Sequence, residues 1–203
     1  MLKLSLPIQL SAWLMPLVAL ILAVVVHFLP SDLYELCIYH RQQIEQGQWW
    51  RIISGHFAHT NLNHLLLNLA GLVMLWALHG DHYQHRSFSL VFLISAVTCS
   101  LGIYLWTPEM TQYVGLSGVL HGVFVWGAIK DIEKGWRSGY LLLIGVWAKI
   151  AWEQVSGASA DVEQLINAKV AIDAHLFGAL GGVVAVLLLT LRSKLAPRLS
   201  PSE

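Results

Sequence analysis

The sequence predicts an all-α polytopic membrane protein, a bundle of six transmembrane helices with one long interfacial loop after the first. Three observations carry this. Of 203 residues, 56% are hydrophobic and only 12% are charged, and the mean hydropathy is strongly positive. The apolar residues fall into runs, several of them near the ~20 residues that a helix needs to cross a hydrocarbon core. Most of the charged residues lie between the runs, and Pro30 closes the first. The whole chain, 1–203, reads as a single transmembrane domain.

The first run covers 10–29, with Pro16 tolerated inside it and Pro30 closing it. Lys3 ahead of an apolar stretch resembles the start of a signal peptide, but the stretch is about as long as a full span and lacks a small-x-small cleavage site, so it reads as an uncleaved first helix. The long loop follows, 31–55. It carries Asp32, Glu35, Arg41, Glu45 and Arg51 with Trp49 and Trp50, the mixture of aromatic and charged groups that suits a membrane interface.

The second run, 58–78, opens with His59, Thr60, Asn61, Asn63, His64 and Asn68 before turning wholly apolar. The third is 88–106. The fourth, 115–129, would reach only about 22 Å against a core of ~30 Å, so it is expected to sit buried among the others. The fifth, 140–152, carries Lys149 near its end, and the sixth is 172–191. Six spans put both termini on one side. With the termini inside, the inner segments hold Lys3, Arg86, Lys130, Lys134, Arg137, Arg192, Lys194 and Arg198, and the outer loops hold Arg41, Arg51 and Lys169. Eight cations against three favour cytoplasmic termini.

Composition also excludes classes. Twelve basic and twelve acidic residues cancel, so no polybasic face points to nucleic acid. Cys37 and Cys99 are not spaced as a metal site or a disulfide framework. Among the ten histidines, His56, His59 and His64 share the outer side and His79, His82 and His85 the inner side. Neither group has the HExxH signature or a completing carboxylate or cysteine, so no metal is expected, and the inner group reads as a solvated connector.

The predicted topology gives the polar residues within spans a common position. The second, fourth and sixth helices all begin at the outer face, and their first turns carry His64 with Asn68, Ser117, and His175. Ionisable groups in spans are costly and tend to face one another or a cavity. Taken singly, each has a quiet explanation: Ser117 bonding back to a carbonyl, His64 and Asn68 joining helices, His27 as an interface residue. Ser117, however, lies at a helix start in Gly115-Leu116-Ser117-Gly118, where glycines permit close approach and orphan N–H groups point outward. Glycines at 118, 122, 178 and 182 would also draw the fourth and sixth helices together, as a Ser117 to His175 hydrogen bond requires.

Trp50-Arg51, His64 and Asn68 four apart, Gly115-Leu116-Ser117-Gly118, and Ala174-His175 followed by Gly178 and Gly182 together resemble the rhomboid intramembrane serine proteases. The resemblance spans nearly the whole chain and implies a rhomboid-like six-helix bundle, without cofactor. Carried over, it makes Ser117 and His175 a catalytic dyad and gives Asn68 and His64 to the oxyanion, with Gly115, Gly118 and His121 in support. Rhomboids often have a tyrosine four residues after the serine, where this chain has His121. That histidine, the compact length without an extra domain and the run Gly-Leu-Ser-Gly-Val-Leu-His-Gly resemble the rhombosortase branch. The branch implies the inner membrane of a bacterium and substrates anchored by a C-terminal Gly-Gly motif, an apolar helix and a basic tail, with release of the acyl-enzyme to water or to another nucleophile.

The residues themselves support acyl transfer: a serine nucleophile, a histidine to carry its proton, and N–H donors where negative charge develops. No triad acid is evident. Asp173 is two residues from His175, so on a helix it points elsewhere. The alternative is a rhomboid-like protein that binds transmembrane helices without cutting them, against which stands the presence of both Ser117 and His175.

Overall fold

The structure, a computed structural model, describes residues 6–195, with side chains through 192. Lys3 and Arg198 of the charge argument, and the side chain of Lys194, lie outside the described residues. The chain is helical almost throughout. Helix α1 (Leu10–His27) leads into a folded first loop of α2 (Ser31–Cys37), strand β1 (Tyr39–His40), α3 (Arg41–Glu45), α4 (Arg51–Ser54) and a 3-10 turn, Gly55–Phe57. Then come α5 (Leu62–His79), α6 (His85–Trp106), strand β2 (Gln112–Tyr113), α7 (Ser117–Glu133), α8 (Ser138–Ser156), α9 (Ala160–Ile166) and α10 (Ile172–Leu195).

Six of these are long, and α7 stands among the others. It packs against α5, α6, α8 and α10, while α1 covers α5 and α6. Val119, Val123, Val125, Trp126 and Ala128 of α7 are fully or almost fully buried. The outer helices instead present apolar side chains outward, Leu17 and Val25 on α1, Leu141 and Ile144 on α8, Leu187 and Leu188 on α10. Contiguous exposed apolar surface of this kind suits hydrocarbon. Among the described residues, Leu10–His27, Leu62–His82, His85–Trp106 and Ile172–Arg192 are long and apolar enough to cross a membrane by length and composition. The buried 17-residue α7 falls short of that, as its length requires.

Glycines set the closest approach. A Cβ on Gly178 would collide with the Gly118 carbonyl, and one on Gly182 with the Gly122 carbonyl, so α7 and α10 touch backbone to backbone. Small residues at four-residue spacing let membrane helices pack this way.

The first loop is a compact body. Arg51 is buried at its centre and donates from Nη1 to the carbonyls of Glu35 at 2.7 Å and Ile38 at 2.6 Å, and from Nε to Gln48 at 2.8 Å. Two of its N–H donors thereby satisfy backbone carbonyls that hydrocarbon could not. Trp50 donates to Leu36 O at 3.0 Å, and Trp49 and Trp50 keep their rings exposed, as interfacial tryptophans do. Strand β1 pairs antiparallel with β2, Tyr39 opposite Tyr113, which ties this loop to the segment leading into α7.

The inner histidines depart from the solvated connector expected of them. His79 Nδ1 is 3.2 Å and His82 Nε2 is 2.6 Å from the two carboxylate oxygens of Asp131, with side-chain exposures of 0%, 6% and 3%. The reason is again a glycine: Gly127 leaves the room on α7 into which the His79 ring packs. Asp131 lies beyond the expected end of the fourth run, so the sequence did not reveal it as the partner.

Candidate active site

Helices α5, α7 and α10 begin at the same end of the bundle, where α6 and α8 finish. Asn61 caps α5, its side chain accepting from the His64 backbone N–H at 2.8 Å. One turn on, Asn68 Nδ2 donates to the His64 carbonyl at 3.2 Å. The turn into α7 is built from Gly115, at φ +124°, where a side chain would be strained. Its N–H donates to Gly55 O at 3.1 Å, and its carbonyl accepts from Tyr113 Oη at 2.6 Å. A Cβ there would lie 2.8 Å from His64 Nε2 and 3.9 Å from Asn68 Nδ2, so both side chains face the turn.

Ser117 opens α7, where its backbone N–H has no intrahelical acceptor. Its Oγ is 3.0 Å from His175 Nε2, across from the start of α10. Gly118 makes the approach possible: a Cβ on it would lie 2.8 Å from the Ala174 carbonyl. All seven residues expected at the site are therefore gathered at one end, Ser117, His175, His64, Asn68, Gly115 and Gly118 by the contacts above and His121 by the stack described below.

Sequence reasoning missed a carboxylate. His175 Nδ1 lies 2.9 Å from Glu153 Oε2, so the acid facing His175 is Glu153 on α8 and not the neighbouring Asp173. No acid was evident at this position from the sequence. Helix α8 runs to Ser156, past the 152 at which the apolar run stops, and that extra turn carries Glu153. The spacing of Lys149 and Glu153, i and i+4 on one face, was the available signal.

The tautomers follow from the partners. An ionised carboxylate only accepts, so His175 carries its proton on Nδ1 and turns a bare Nε2 to the Ser117 hydroxyl. His121 Nδ1 donates to the Ser117 carbonyl at 2.8 Å, which leaves Nε2 to accept from the Lys149 ammonium at 3.2 Å. Lys149 also donates to Glu153 Oε1 at 2.7 Å. The His121 ring lies flat on that of His175, centroids 4.2 Å apart. His121, Glu153 and His175 have ligand atoms within 4.8 Å of one another, a set able to hold a cation, but Lys149 already places a positive charge against two of them. Just ahead of α5, Thr60 Oγ1 donates to Ile166 O at 2.7 Å, and His64 Nδ1 lies 3.1 Å from that hydroxyl and 3.5 Å from the Thr60 backbone nitrogen.

A cavity of about 530 Å³ opens beside the nucleophile, with Ser117, His64, Thr60, Tyr34, Glu109 and Lys169 among its lining. Behind it, Tyr113 is buried and its phenol is held well above the usual range by desolvation, so it remains a proton donor to the turn. His56, wholly buried on Ala96 O and Ser100 Oγ at 3.0 Å each, is pushed down to about 4 by burial and stays neutral scaffold.

The Rhomboid domain family matches residues 46–192. The chain is 29% identical over 148 residues to Rhomboid-like protein 11, chloroplastic, of Arabidopsis thaliana, covering 70% of this chain and 53% of that protein. It is 26% identical over 145 residues to the putative rhomboid protease YdcA of Bacillus subtilis, 68% of this chain and 66% of that one. To the rhomboid protease GluP of the same organism it is 26% identical over 148 residues, 73% of this chain and 27% of that one. The matched region thus spans between about a quarter and two thirds of these relatives' lengths.

Proposed function

The chain belongs to the rhomboid family, and from that premise we propose that it is an intramembrane serine endopeptidase working through a Ser117-His175 dyad. The observation that carries the reading is the 3.0 Å contact of Ser117 Oγ with His175 Nε2 beside a cavity of mixed apolar and polar lining. In this reading Ser117 Oγ attacks the scissile carbonyl carbon while its proton passes to His175 Nε2. The tetrahedral oxyanion is met by the Ser117 backbone N–H and the Asn68 amide, with His64 beside them. Collapse breaks the C–N bond, His175 returns the proton to the leaving amine, and an acyl-enzyme on Ser117 remains. Gly115 and Gly118 hold the turn and the helix contact that this geometry needs, and His121 backs the His175 ring.

The substrates would be membrane proteins carrying a transmembrane helix. The resemblance of the Gly115–Gly122 run to rhombosortases supports a narrower class, C-terminal Gly-Gly tail anchors, with the acyl group passing to water or to a second nucleophile. The surplus of Lys and Arg in the inner segments supports cytoplasmic termini in a bacterial inner membrane, and hence cleavage near the outer face. Purified protein reconstituted in liposomes with a Gly-Gly tail-anchored substrate tests the reading. Cleavage by wild type and none by Ser117→Ala or His175→Ala is expected. Substrate that binds but is never cut by wild type would favour the helix-binding alternative.

A further inference from the structure

We propose that Glu153 is a positioning acid for the Ser117-His175 pair, and that Lys149 is its built-in counterion. The inference rests on the dyad reading above and deepens it. Three contacts run in series: Lys149 Nζ to Glu153 Oε1 at 2.7 Å, Glu153 Oε2 to His175 Nδ1 at 2.9 Å, and His175 Nε2 to Ser117 Oγ at 3.0 Å. The Glu153 and His175 side chains are only 12% and 7% exposed, so water does not hold them in these positions.

Geometry gives the carboxylate its task. His175 can accept the Ser117 proton only if Nε2 is bare, and the partner at Nδ1 decides that. A carboxylate accepts and therefore fixes the proton on Nδ1. It also stabilises the imidazolium that forms when the serine proton arrives. Glu153 has two oxygens to satisfy in a poorly hydrated place, and an unpaired one would be costly. Lys149 satisfies the second oxygen and, reaching on to His121 Nε2 at 3.2 Å, fixes the ring stacked on His175. Asp173, two residues from His175 along α10, does not take this role, because the acid arrives from a different helix, α8.

A fluorophosphonate probe tests this without a known substrate. Ser117 Oγ forms the bond to phosphorus, fluoride leaves, and His175 takes the proton, so the labelling rate reports activation of the nucleophile. In full-length protein, Glu153→Gln is expected to slow labelling on the order of 100-fold, since an amide can donate to Nδ1 and hold the wrong tautomer. The loss should fall on the maximal labelling rate, with the probe's half-saturating concentration little changed. Glu153→Asp should recover part of it. Glu153→Gln added to His175→Ala should cost nothing further, because the two act as one unit. Lys149→Met should give a smaller loss that Lys149→Arg restores. Wild-type labelling rates in Glu153→Gln, with Ser117→Ala silent, would overturn the assignment of Glu153 alone. So would a loss that tracks the thermal unfolding midpoint and disappears at lower temperature. Labelling that persists in Ser117→Ala would overturn the dyad reading itself, whatever Glu153 does.

Discussion

His121 and His175 lie face to face, their ring centroids 4.2 Å apart and their planes within 20°, although one comes from α7 and the other from α10. The pair gives a physical reason for a histidine four residues after the serine. Nδ1 of His121 holds to the Ser117 carbonyl on its own helix, and Nε2 holds to Lys149 on α8. A flat wall of fixed orientation then stands against the His175 ring. A ring that must swap protons with Ser117 without changing place gains from such a wall.

His121→Ala is accordingly expected to lower turnover by about tenfold, the scale of a lost aromatic pair. His121→Tyr keeps the stack and drops both ring-nitrogen bonds, to the Ser117 carbonyl and to Lys149, and should retain most of the rate. Comparing kcat and KM for the two variants separates wall from hydrogen bond. Equal losses in both would mean that the ring face contributes nothing.

Gly178→Ala should act on the same geometry from behind. The added Cβ meets the Gly118 carbonyl, which is backbone and cannot rotate away, so α10 must shift from α7. Overpacking of this kind costs about 1–3 kcal/mol. A lower unfolding midpoint together with slower fluorophosphonate labelling is expected, because the shift also parts His175 from Ser117. Unchanged labelling in a destabilised protein would show that the pair tolerates the displacement.

Much of this was legible in the chain because helical periodicity and start positions are local properties. His64 and Asn68 four apart, Ser117 after a glycine turn, and the 118, 122, 178, 182 glycines are all read from spacing within one helix. What stayed hidden depended on how helices sit against each other. Glu153 is 22 residues from His175 and one residue past an apolar run that ends at Trp152, so nothing local tied the two together. Asp131 stands 49 residues from His82 in the same way, and gathers two of the three inner histidines, His79 and His82, into a buried polar cluster. The folding of the first loop about Arg51 was likewise beyond pattern reading, since its acceptors are backbone carbonyls.

Asp131→Ala tests whether that second cluster is only structural. The substitution strips both His79 and His82 of their partner, and leaving buried polar groups unmatched costs about 1–3 kcal/mol. Asp131 is fourteen residues along α7 from Ser117, about 21 Å at helical rise. A fall in the unfolding midpoint with an unchanged labelling rate below it is therefore expected. A labelling rate that falls at temperatures where the variant is fully folded would connect the two ends of α7.

Asn68 offers the sharpest separation of chemistry from packing. Its Nδ2 lies near the Gly115 turn, one turn below His64, and among the described residues it donates to the His64 carbonyl at 3.2 Å. An amide has a second N–H to give, which becomes valuable only when charge develops on the scissile oxygen. His64 differs. Its Nδ1 faces Thr60, 3.1 Å from the hydroxyl and 3.5 Å from the backbone nitrogen, while its Nε2 faces the Gly115 turn and the cavity. Asn68→Ala should thus lower kcat by roughly ten- to a thousandfold with KM little changed. His64→Ala should cost less, and most of its cost should appear in KM, since the ring lines the cavity. If Asn68 merely joined helices, its removal would cost on the order of 1 kcal/mol or less and spare turnover. Cleavage rate and thermal stability measured on the same purified Asn68→Ala protein decide between the two, and full turnover there would remove Asn68 from the site.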